Sequence, residues 1–301
     1  AMKLIVNVKR LNKRNRIPQS FAEKDSIVGT VVKGYTFEGT ENTTPIAATL
    51  GKWYRDSDGF FYWGGGLIVA EGKAPRPVAI GGLPANLPAG YLLGADISHH
   101  NGNLDWDALS KAGISFVYIK ISEGVNTPDK MAKVHAANAQ RLGIKIGYYH
   151  FCRPDTRNGG TIESDARAEA QEALNIMAAL PPAALPLALD LEDVASPRWD
   201  TPLGRADYQT WIETFIGHIT QQGIRCLLYS RKEYLDRKLP AVHTLGAHSL
   251  WIAIYSIADC KRVVCPMGWD KWAIWQFTEE GKTAGNAKID LNILQDTSLI
   301  T

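Results

Sequence analysis

Little in this chain speaks for a membrane, a metal or a nucleic acid. No run approaches the ~18 apolar residues of a bilayer-spanning helix. Lysine plus arginine number 33 against 31 aspartates plus glutamates, a net charge of +2, too small a surplus to imply a nucleic-acid partner. No G-x-G-x-x-G or P-loop pattern is present to hold a nucleotide. The 4 cysteines, Cys152, Cys226, Cys260 and Cys265, form no C-x-x-C and have no nearby histidine pair, so they fit no zinc site. Cys260 and Cys265 flank a short loop; a bridge in an oxidising compartment and free buried thiols are both open. His99, His100 and His150 have no acid–histidine spacing that suits a metal and read as hydrogen-bond partners. No metal or cofactor is expected. The start of the chain lacks a signal peptide, residues 9–16 being basic and polar instead. Ala1-Met2 looks like a cloning remnant, so a leader could have been removed.

What is present is an ordinary globular composition. The 301 residues are 45% hydrophobic and 21% charged, enough for one large domain and a small one. Residues 1–70 carry short β-prone runs (4–8, 27–32, 35–38, 53–55, 60–63) between Gly, Asn, Asp and Pro, with no helical period, which predicts a small all-β barrel. Within it W-Y-R-D-S-D-G-F-F-Y-W (53–63) is a strand, an Asp58-Gly59 turn and a return strand. Residues 71–90 are rich in Ala, Pro and Gly without a period of 2 or 3.6 and read as a linker.

From residue 91 to 301 strands and helices alternate. Strands are predicted over 92–98, 116–122, 145–151, 187–192, 225–230, 250–255, 271–277 and 288–293. Helices are predicted over 106–112, 130–142, 162–180 and 206–222, with a shorter one near 232–238. Trp211, Phe215, Ile216 and Ile219 make one stripe, as on the inner face of an outer helix. Helices fade after the fifth strand. Eight strands with early crossovers predict an α/β fold, a modified TIM-like β/α barrel whose last three strands are joined by loops.

Chemistry in such a barrel gathers at the strand ends. The key stretch is 187–194, L-A-L-D-L-E-D-V. Side chains alternate along a strand, so Asp190 and Glu192 face one side about 6.5 Å apart, and Leu189 and Leu191 the other. Two carboxyls aimed into one space push one pKa up, as a general acid requires; a lone D-x-E is also common at ordinary strand ends. Here it is not alone. Asp96 and Glu123 end other strands, and Asp290 sits in the eighth. Tyr149, Tyr229, Tyr255, Trp275 and Gln276 stand near strand ends as candidate substrate contacts. Several acids with aromatic walls suit sugar cleavage, where carboxyls react and rings stack on pyranose faces.

Seven segments in order, G-A-D-I-S-H-H-N-G (94–102), I-K-I-S-E-G (119–124), G-Y-Y-H-F (147–151), L-D-L-E-D (189–193), L-W-I-A-I-Y (250–255), I-W-Q-F (274–277) and I-D-L-N (289–292), resemble family-25 glycoside hydrolases. Those are lysozymes (N-acetylmuramidases) of bacteria, fungi and phages. The resemblance spans about 91–298. It implies five βα units plus three closing strands, and cleavage of the β-1,4 bond between N-acetylmuramic acid and N-acetylglucosamine. It implies Glu192 as general acid, Asp190 as its partner, and Asp96 and Asp290 as the remaining site acids. The aromatic hairpin closing in Gly64-Gly65-Gly66 resembles a bacterial SH3-like domain, which implies cell-wall binding. Together these imply a monomer acting on peptidoglycan, secreted, periplasmic or wall-associated. The alternatives are an inactive wall-glycan binding protein, which the four acids argue against, and a chitinase-like glycosidase. The latter is disfavoured because Leu185 and Ala188 stand where its motif needs acids.

Overall fold

The computed structural model describes residues 2–20, 22–42, 51–69, 82–193, 203–283 and 285–301. They fall into two compact units, Ala1–Arg76 and Pro77–Thr301.

The first unit is all β. Strands β1 (Met2–Val6), β2 (Arg10–Arg14), β3 (Ile27–Val32), β4 (Thr36–Asn42), β5 (Trp53–Asp56), β6 (Phe61–Trp63) and β7 (Leu67–Val69) form one sheet in the order β3-β2-β6-β5-β4-β1-β7. The unit is all β as a small all-β barrel requires, and among the described residues its strand order is open. The β5–β6 hairpin turns at Gly59, whose φ of 91° is in the left-handed region that favours glycine. Tyr54 and Tyr62 pair across it and enter the core with Leu4, Val6, Leu11, Val31 and Phe37. Strand β2 was missed because 9–16 reads as a basic run. Leu11 and Arg14 nevertheless turn inward, and buried Arg14 donates to the Ser26 hydroxyl at 2.5 Å and the Glu23 carbonyl at 2.9 Å, which satisfies the burial of its charge.

The second unit is a closed eight-stranded barrel. In chain order it runs β8 (Leu92–Ile97), α1 (Trp106–Lys111), β9 (Phe116–Glu123), α2 (Ala132–Arg141), β10 (Lys145–Phe151), α3 (Ile162–Met177), β11 (Leu187–Asp190), α4 (Arg205–Thr220), β12 (Cys226–Arg231), α5 (Lys232–Lys238), β13 (Ser249–Ala253), β14 (Ile274–Thr283) and β15 (Asn286–Leu294). Neighbours from β8 to β14 are parallel, whereas β15 is antiparallel to both β14 and β8. Alternation sorts the side chains. Phe116, Tyr118, Leu227, Tyr229 and Trp251 fill the interior, while Val117, Ile119, Leu187, Leu189, Leu228 and Leu250 face the helices. The stripe on α4 is buried as expected, Trp211, Phe215 and Ile219 being fully so; each such side chain contributes about 1.5–3 kcal/mol. Gly94 and Gly147 leave room for the interior rings, since a Cβ there would lie 2.3 Å from Phe116 and 2.5 Å from Tyr118.

The expected linker is shorter on its described side. Residues 71–81 lie outside the described residues, but Leu83 and Leu87 pack on the barrel core and Ala85 N–H donates to the Ala258 carbonyl at 2.8 Å. Two leucines with an apolar surface to cover outweigh the Pro/Gly composition around them. All four cysteines are free thiols, Cys152 and Cys260 buried.

Candidate active site

Asp96, Asp190, Glu192 and Asp290 meet at one end of the barrel. With Tyr149, Tyr229 and Trp251 they line a cleft of about 330 Å³. Three elements bring them together. Asp96 is the fifth residue of β8 and Asp190 the last of β11, with Glu192 just beyond it. Asp290 is not at a C-terminal strand end. Because β15 runs backwards, its earlier half reaches the mouth and Asp290 pairs with Asp96.

The polar network gives each acid a different environment. Asp96 accepts from Asn292 Nδ2 at 2.7 Å and from Gln276 Nε2 at 2.8 and 3.0 Å. Gln276 Nε2 also lies 3.4 Å from Asp290 Oδ2. The amide is held the right way round by its other end, where the hydroxyls of Tyr229 and Tyr255 donate to Oε1 at 2.8 and 2.6 Å. Trp251 in turn donates to Asn292 Oδ1 at 2.7 Å. Asp190 has no such support: its Oδ1 is buried without a hydrogen-bond partner.

Electrostatics follow from this. Burial, then the charge of Glu192, pushes the Asp190 carboxyl well above the usual range. Burial also raises Glu192, with Asp96 adding to it and Arg231 opposing. Asp290 is pushed up to about 9 by burial and then by Asp96. Asp96 is raised by burial too, while Asn292, Gln276 and Asp290 hydrogen bonds pull it back. Asp96 is therefore the carboxylate best supplied with donors, and burial favours the neutral form of the other three acids. Asp190, with its Oδ1 buried and without a donor, is pushed towards its neutral form.

Two sequence-predicted contacts lie elsewhere. Trp275 is fully buried against Trp272 and Phe277 and donates to the Ile254 carbonyl at 2.9 Å. It neighbours Gln276 on β14, and consecutive strand residues face opposite ways, so both could not serve the cleft. Glu123 is bound by Lys120 at 2.7 Å and by Arg153, and lines a separate depression with Thr127 and Arg157. Those two cations, outweighing burial, hold its carboxyl below the usual range. Tyr149 and Tyr229 do line the cleft; Tyr255 reaches it through Gln276. Trp251 and Asn292 were missed, though alternation puts Trp251 on the face of Tyr255 and Asn292 on that of Asp290. His99 bonds Asp129 at 2.7 Å, and His150 bonds Ser122 and Glu169, each at 2.8 Å. Among the described residues no cluster of three or more His, Cys, Asp or Glu could hold a metal.

A carboxyl cluster in an eight-stranded barrel is the setting of many glycosidases, and the sequence profile of Glycosyl hydrolases family 25 matches residues 95–286. The chain belongs to that family. Among its relatives, Lysozyme M1 of Streptomyces globisporus is 27% identical over 260 residues, 85% of this chain and 84% of that protein. The autolytic lysozyme of Clostridium acetobutylicum is 26% identical over 202 residues, 65% of this chain and 54% of that protein. The bacterial lysozyme from Streptomyces coelicolor superposes with a TM-score of 0.58 at 25% identity, covering 69% of this chain and 94% of that one. The Clostridium perfringens spore cortex lytic enzyme SleM gives 0.60 at 27% identity, covering 70% and 69%. In this family-25 chain all four acids fall in the cleft lining.

Proposed function

We propose that this glycoside hydrolase is a muramidase that cleaves the β-1,4 bond between N-acetylmuramic acid and N-acetylglucosamine in peptidoglycan. The observation that carries the reading is the convergence of Asp96, Asp190, Glu192 and Asp290 in one narrow cleft, in a chain whose relatives are named lysozymes. The barrel is read as five βα units plus three closing strands, and the action as extracellular or at the cell wall.

Glu192 is the general acid. It is half-buried at the mouth, and burial raises its carboxyl, which favours the protonated form that gives its proton to the leaving glycosidic oxygen. The carbonyl oxygen of the substrate's own 2-acetamido group attacks C1 as that bond breaks, forming a cyclic intermediate with the configuration inverted. Asp190 accepts the acetamido N–H, for which its unpartnered Oδ1 is the available acceptor. That contact gives Asp190 Oδ1 a donor that no protein group provides and favours the ionised form. Water, deprotonated by Glu192, then opens the ring and restores the original configuration. Asp96 supplies negative potential that favours the protonated form of Glu192, while Asp290 keeps its own proton.

The first unit is read as an SH3-like wall-binding domain; its exposed Trp63 is a ring of the kind that packs on a sugar. The test of the whole reading is turbidity clearance of purified peptidoglycan. Glu192→Gln should cost at least 10²–10⁴-fold with unchanged folding, and clearance at the wild-type rate would refute the assignment.

A further inference from the structure

The cleft poses an electrostatic problem. It gathers four carboxyls, yet the muramyl residue of the proposed substrate carries a lactyl carboxylate, or an acid-bearing peptide stem attached through it. An anion brought to an acidic, partly desolvated mouth is repelled unless a cation meets it. Most cations near the strand ends are committed: Lys120 and Arg153 to Glu123, Lys232 to Asp236, and Arg237 to Asp193.

Arg231 is different. It is the last residue of β12, exposed at the barrel mouth. Its guanidinium lies over the Tyr255 ring, 5.4 Å from the centroid. Tyr255 is itself fixed by its bond to Gln276, so the guanidinium rests on a stationary platform. It is close enough for its charge to act on Glu192. Among the described residues no carboxylate comes within ion-pair distance of it. A planar fork of donors, held by an aromatic ring beside the general acid, is suited to a bidentate carboxylate contact.

Resting on the muramidase reading, we propose that Arg231 binds the carboxylate on the muramyl 3-O-substituent and so sets the preference for an acidic glycan over a neutral one. The experiment compares wild type, Arg231→Gln and Arg231→Lys on three glycans of equal length. One is peptide-free with its lactyl carboxylates intact. The second is the same glycan with those carboxylates amidated. The third keeps its peptide stems. Wild type should lose about tenfold or more in kcat/KM on amidation, mainly through KM. In Arg231→Gln that charged-to-neutral ratio should fall to about one, with Arg231→Lys in between, since lysine keeps the charge but not the fork. Discrimination seen only on the stem-bearing glycan would place the bound carboxylate on the stem. Equal losses by Arg231→Gln on all three glycans, or an unchanged ratio, would overturn the proposal. A wild-type enzyme that cleaves every glycan equally would overturn it while leaving the muramidase reading intact. A wild type that cleaves none would overturn both.

Discussion

Asp290 lies directly across from Asp96 on antiparallel strands, and the two carboxyls share a hydrogen bond. The pair is asymmetric. Asp96 takes the short bonds from Asn292 and Gln276, whereas Asp290 has only the 3.4 Å approach of the Gln276 amide. Donors stabilise charge, so Asp96 is the carboxylate and Asp290 the acid that donates to it. This dyad couples catalysis to stability.

Because the Asp290 pKa in the folded protein is about 9 and that of an unfolded aspartate about 3.9, the folded state holds the extra proton between those limits. Its contribution is fully present below about pH 4 and is lost as pH rises towards 9. Asp290→Asn, which mimics the protonated acid, should match wild type in melting temperature near pH 4 and exceed it by at least about 2 °C at pH 8. Thermal melts across that range check it; identical pH slopes would show that Asp290 does not hold the proton.

The hydrogen bonds of Gln276 suit a positioning role rather than a substrate contact. Its carbonyl oxygen accepts two tyrosine hydroxyls and its amide nitrogen faces both dyad acids, so it has little capacity left for a substrate bond. Gln276→Asn is one methylene too short to span this gap. It should lower kcat by about 10–100-fold with little change in KM, and it should move the pH profile, because Asp96 loses donors. A loss confined to KM would return Gln276 to the role of a substrate contact.

What the sequence revealed follows its periodicities. Strands at 145–151 and 27–32 and the short helix at 232–238 match because their apolar patterns or boundaries are strong. The D-x-E at Asp190 and Glu192 reaches the cleft by alternation, although the strand itself ends at Asp190. The same rule separates Gln276 from Trp275 and adds Trp251, but only once one face of the barrel is known to be the inside. Composition cannot foresee that Leu83 and Leu87 tie the supposed linker to the barrel, or that Arg14 is buried. The reversed direction of β15 is also invisible locally, since a strand reads alike in both directions; it is what lets an acid in mid-strand pair with Asp96.

The packing of Leu83 and Leu87 fixes where a truncation should begin. A chain starting at Gly82 keeps those contacts and should retain activity on short soluble muropeptides. If the first unit binds wall, that chain should sediment poorly with intact sacculi. Co-sedimentation equal to that of the full chain would remove the binding role and leave residues 1–70 as a spacer or a docking unit for another partner.

The last prediction concerns which atom attacks C1. Asp190 and Glu192 are two residues apart on one chain segment that lines the cleft. Direct attack by Asp190 needs carboxyls about 5–5.5 Å apart across the scissile bond, and an inverting water needs about 6.5–9.5 Å with the two on opposite faces. Neighbours on one segment do not readily straddle a sugar ring. Attack by the acetamido oxygen does not require that they do, and it gives the buried, unpartnered Asp190 Oδ1 a hydrogen-bond donor. The enzyme should therefore release product with retained configuration and be inhibited by thiazoline mimics of the cyclic intermediate. Asp190→Asn should lose most activity yet remain folded, since it removes an acid that burial already disfavours as a charge. Product NMR and intact-mass spectrometry with a fluorinated slow substrate separate the routes. A stable sugar adduct on Asp190 or Asp290 would identify a protein nucleophile, and an inverted product would exclude both retaining mechanisms.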